Sequence, residues 1–106
     1  MENTKGDRKM ARNEMVTLID KLNSAKIPFV TEIDDSFGAL HVMYPEDWNG
    51  NCKCSVICHE YSYGGREGLL EIMGLVDDDI EDDVQGYLTA NDVFARIYTD
   101  YINSAD

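Results

Sequence analysis

Breaks govern what this chain can fold into. Pro28, the cluster Asp34 to Gly38, PEDWNGN at 45–51, SYGGREG at 62–68 and DDDIEDD at 77–83 cut the middle of the chain into short runs. Runs of roughly 4–8 residues rich in β-branched and aromatic side chains suit strands, whereas helices need ten or more. Four such runs stand between the breaks: FVTEI, ALHVMY, CKCSVICH and LLEIMGLV. A short helix beginning near Arg66 is the alternative for the last, but Gly68 and Gly74 make it poor by propensity, so the strand reading is preferred.

The two ends carry a different period. From Asp7 to Lys26 the residues Met15, Leu18, Ile19 and Leu22 form the stripe of an amphipathic helix, closed by Pro28. Thr89 suits an N-cap with Asp92 three residues on, and Val93, Phe94, Ile97, Tyr98, Tyr101 and Ile102 supply a second stripe. The expected architecture is therefore α+β, one domain over 1–106 in the order α-β-β-β-β-α. It consists of an antiparallel four-stranded sheet flanked by N-terminal and C-terminal helices, with about residues 1–6 disordered. Two helices can cover one sheet face, leaving the other to water or to a partner; if Met43, the cysteine row or the Leu69 row lies on that open face, the simplest burial is a homodimer packed sheet to sheet or through helix contacts.

Charge narrows the partners. The net charge is −12; residues 1–26 carry +2 and the remainder −14. Such a field repels phosphate, so direct nucleic-acid binding is not expected. No apolar run approaches the ~20 residues of a membrane span, which with the three cysteines, an odd number, points to a cytoplasmic protein without membrane contact. Acidity keeps a small protein soluble, and it also suits a basic protein partner.

The segment NCKCSVICHEYSYGG places Cys52, Cys54, Cys58 and His59 close together. On a strand the three cysteines share a face with Val56, as small buried hydrophobes do. Cys52 and Cys58 would then lie ~20 Å apart, too far for one zinc ion. A thiol nucleophile needs a neighbouring base; His59 would point away from Cys58, while His41 could face a cysteine across the sheet. DDDIEDD fails the calcium-loop pattern because the sixth and twelfth positions from Asp77 are Asp82 and Leu88. Tyr61, Tyr63 and Arg66 suit a protein contact surface, although a hairpin loop with no binding role is the preferred reading of that segment. Trp48 reads as a lid on the core edge, with an exposed contact as the alternative.

CSVICHEYSYGGREGLLEIMGL followed by GYLTANDVFARI resembles small acidic proteins of unassigned activity carried by prophages and other mobile elements of Gram-positive gut bacteria. The resemblance implies an accessory protein that acts by interaction, and it transfers no functional residue. The expected function is thus a non-enzymatic acidic interaction module with no cofactor. The competing reading is a small metal- or thiol-dependent enzyme using Cys52, Cys54 and Cys58 with His41 or His59.

Overall fold

The computed structural model describes residues 14–34 and 38–104. The part of the first helix before Glu14 and the expectation of disorder over 1–6 lie outside the described residues. Helix α1 (Glu14–Ser24) leads into strands β1 (Val30–Ile33), β2 (Leu40–Pro45), β3 (Cys52–Ile57), β4 (Leu70–Met73) and β5 (Val84–Leu88), and helix α2 (Ala90–Ser104) closes the chain. All neighbouring strands are antiparallel, in the order β1-β2-β3-β4-β5.

The class is α+β as expected, but the sheet has five strands where four were read. The missed strand is VQGYL, whose glycine and single interior polar residue break any alternation. It forms because β4 supplies partners on its open side. A register shift between Leu70 and Ile72 absorbs the irregularity, with Tyr87 in the left-handed region at φ 59°. With β3 and β5 on either side, β4 is central, yet only Leu70 and Ile72 are buried. Met73, on the other face of the strand, is 45% exposed.

Both helices lie on one sheet face. Met15, Leu18 and Leu22 of α1 and Ala90, Val93 and Ile97 of α2 enclose Val42, Tyr44, Cys54, Val56, Leu70, Ile72 and Leu88. Burial of this apolar surface is the main stabilising term, at roughly 25 cal/mol per Å². Helix α1 ends as a Schellman turn. Ile27 N–H donates to the Leu22 carbonyl and Lys26 N–H to that of Asn23, with Lys26 left-handed at φ 59°. Helix α2 begins on the expected cap. Asp92 N–H donates to Thr89 Oγ1 at 3.1 Å, Thr89 N–H donates to Asp92 Oδ2 at 3.0 Å, and Ala90 N–H donates to the Glu14 carboxylate at 2.7 Å. That last bond locks the starts of the two helices together.

The register of β3 departs from simple alternation. Tyr44 pairs with Cys54 and Pro45 with Cys52, so Lys53 is the extra residue of a bulge. The bulge turns Lys53 toward α2, where its ammonium donates to Asp100 Oδ2 at 2.9 Å and to the Ser104 hydroxyl at 3.0 Å. The Tyr44 hydroxyl donates to the same Asp100 oxygen at 2.7 Å. Burial, with the Asp100 hydrogen bond, pushes the Tyr44 pKa up. Burial pulls Asp100 the same way, but hydrogen bonds from Lys53 and Tyr44 and the lysine charge outweigh it, so its pKa is lowered.

A folded-state pKa below the unfolded value of about 3.9 gives stability that is complete above that pH and is lost as pH falls through the folded pKa. Asp100→Asn is expected to cost about 1.5–3 kcal/mol at neutral pH, the range for hydrogen bonds to a charged group. It should also flatten the acid limb of the stability curve, as urea titrations at about pH 7, 4 and 2.5 would reveal. An acid limb as steep as that of the wild type would remove Asp100 from this role.

Candidate functional site

After β3 the chain turns through Cys58 to Leu69 and is tied down residue by residue. His59 N–H donates to Ser62 Oγ at 2.9 Å, and the Ser62 hydroxyl and N–H both donate to the His59 carbonyl, at 2.8 and 3.0 Å. Tyr61 N–H donates to His59 Nδ1 at 3.0 Å. A single 3-10 turn, Gly65–Glu67, follows where a short helix was the alternative reading, and the chain then enters β4. Leu69 N–H and Glu67 N–H both donate to the Gly64 carbonyl at 3.0 Å.

This loop docks on the irregular strand. Tyr63 N–H donates to Glu71 Oε1 at 2.7 Å, and the Tyr63 carbonyl accepts from Tyr87 N–H at 3.1 Å. The approach needs two glycines. Gly64 has φ 91° and would place a Cβ 2.9 Å from the Tyr87 backbone, and a Cβ on Gly86 would collide with Tyr63. The outcome is three outward tyrosines at one end of the sheet: Tyr61 at 67% exposed, Tyr63 at 62% and Tyr87 at 60%. Arg66 stands on the same loop, 4.0 Å from Glu60, a pair too exposed to hold it firmly.

Tyr87 carried no sequence signal of its own. Its membership follows from a strand that the sequence hid. A left-handed φ costs a side-chain-bearing residue roughly 1–2 kcal/mol relative to glycine, and here it carries an exposed aromatic ring. Tyr87→Gly is therefore expected to leave thermal stability unchanged or raise it by up to about 1 kcal/mol, while removing a contact ring. Calorimetry on the variant checks the first half. A loss above 1 kcal/mol would mean that the ring supports the fold.

Trp48 is not part of this cluster. It sits 56% exposed in the β2–β3 loop, at the opposite end of β3, so it is a surface residue where a core-edge lid was read. Asn51 N–H on Glu46 Oε1 and Asn49 N–H on Asp47 Oδ1 shape that loop. The six residues of β3 separate it from the tyrosines by on the order of 16–20 Å.

The cysteines do not share one environment. Cys54 enters the core and Cys58 packs against its edge, whereas Cys52, paired with Pro45 across the bulge, does not join the cluster. This corrects the expectation of one cysteine row: the bulge at Lys53 interrupts the alternation. Burial raises all three thiol pKa values, that of Cys54 to about 12; Glu14 adds to the rise at Cys58. His41 lies opposite Ile57 and Glu32, not a cysteine, and His59 Nδ1 is engaged by Tyr61. Among the described residues no group of three or more His, Cys, Asp or Glu could hold a metal ion. No helix among them is long and apolar enough to cross a membrane.

The acidic segment is anchored at its start. Arg96 Nη2 donates to Asp77 Oδ1 at 2.6 Å, and Gln85 Nε2 donates to Asp77 Oδ2 at 3.0 Å. The hydrogen bond from Gln85, against a smaller desolvation effect and with help from Arg96, lowers the Asp77 pKa. Asp78, Asp79, Glu81, Asp82 and Asp83 extend beyond it into solvent.

Compared with known proteins, the chain matches no protein-family model, no curated protein and no solved structure.

Proposed function

We propose that this chain is a non-enzymatic protein-interaction module whose contact surface is the tyrosine end of the sheet. The observation that carries the reading is the joint exposure of Tyr61 and Tyr63, on a loop fixed by hydrogen bonds, and of Tyr87 on the strand where that loop docks. Tyrosine and arginine dominate interface hot spots, and a surface already ordered loses little side-chain entropy on binding. The partner is a basic protein, because residues beyond 26 carry −14 and Glu60, Glu67 and Glu71 border the tyrosines. A setting in a phage or other mobile element fits a small accessory protein of this kind. Raised thiol pKa values weigh against a thiol enzyme.

Affinity capture from a Gram-positive bacterial lysate tests the reading. Basic proteins held by the wild-type chain should be lost with Tyr63→Ala/Tyr87→Gly and released by salt, since screening acts within ~8–10 Å. Equal capture by the double variant, or capture indifferent to salt, would refute it.

A further inference from the structure

Strand β1 is the edge of the sheet, and all four of its residues are exposed, Ile33 at 57% and Val30 at 36%. It contains no proline, lysine or bulge; its guards are its length of four residues and the charge of Glu32. Its backbone has a readable polarity. Asp34 N–H donates to the Ala39 carbonyl at 2.8 Å, and the Asp34 carbonyl accepts from Gly38 N–H. Alternation along a strand then turns Glu32 and Val30 toward β2, and Thr31 and Ile33 outward. Among the described residues nothing pairs with these outward groups.

From this we infer that a second copy of the chain docks antiparallel along β1, joining two sheets into one of ten strands. Outward residues must face outward residues, which places the two-fold axis on a residue, and the fullest overlap of two four-residue strands places it at Thr31 or at Glu32. An axis at Glu32 sets two carboxylates directly opposite one another, which is repulsive. With the axis at Thr31, Thr31 faces its own copy, Val30 faces Glu32 and Phe29 faces Ile33. No like charges then meet, and the exposed Ile33 gains an apolar partner.

Charge permits the approach. The segment Asp77 to Asp83 joins β4 to β5 at the far edge. At ~4.8 Å per strand the two acidic loops of the pair stand on the order of 35–40 Å apart, several times the ~8 Å screening length.

Sedimentation equilibrium of the full chain at micromolar concentration should give twice the 12.0 kDa chain mass. Thr31→Pro deletes only an outward N–H and should yield a folded monomer; Ile33→Lys, which leaves the backbone intact, should do the same. Thr31→Cys should cross-link on mild oxidation much faster than Glu32→Cys, because only position 31 lies on the axis. A monomer in the wild type, a dimer untouched by both Thr31→Pro and Ile33→Lys, or faster cross-linking at 32 would each overturn the proposal.

Discussion

Leu18→Ala should lower the unfolding free energy by about 3 kcal/mol, within the ~2–5 kcal/mol range for large core truncations. Leu18 is fully buried where α1 meets the sheet and belongs to the cluster that both helices share. Its neighbours are held by the bond from Ala90 N–H to Glu14 and by the strand ladder, so collapse into the vacated space is limited. For a chain of 106 residues that loss should move the melting midpoint by on the order of 10–20 °C, with the urea m-value unchanged. A loss under 1 kcal/mol would mean that the α1 side of the core is loosely packed.

Gly86→Ala comes next in size, at about 1–3 kcal/mol, and it bears on function as well. The added methyl would meet the Cβ and carbonyl of Tyr63, the residue that docks the loop on β5. Relief requires the loop to lift, which breaks the bond from Tyr87 N–H to the Tyr63 carbonyl and separates the tyrosines. Partner capture should fall with stability in this variant, whereas Tyr87→Gly should lose capture at constant or higher stability. Urea titration and capture on both proteins give the comparison. Full capture by Gly86→Ala would show that the docking of the loop is irrelevant to binding.

Helix α2 was legible because its signals are local. A hydroxyl at Thr89 and a carboxylate at Asp92 specify a cap wherever the rest of the chain lies. The first four strands were legible because turn chemistry brackets each of them. Strand β5 was not, since VQGYL forms only against β4 and its bulge, a pairing that period-two reading cannot register. The same reason hid Tyr87. The bulge at Lys53 escaped likewise: no residue type announces it, and its cause is the offset between Tyr44–Cys54 and Pro45–Cys52 in the neighbouring strand. Tyr61, Tyr63 and Arg66 are exposed on one loop, while Trp48, grouped with them by type, stands at the other end of the sheet.

The central claim is that CKCSVICH is framework and that function resides in the tyrosine surface. Its most direct test is a titration of the native thiols at neutral pH, before and after denaturation, with elemental analysis of the same sample. Three slow thiols, Cys54 silent until the chain unfolds, and no stoichiometric metal are the expected result, since burial raises every thiol pKa. One thiol reacting fast in the native protein, or one zinc per chain, would contradict the claim and return the chemistry to that strand.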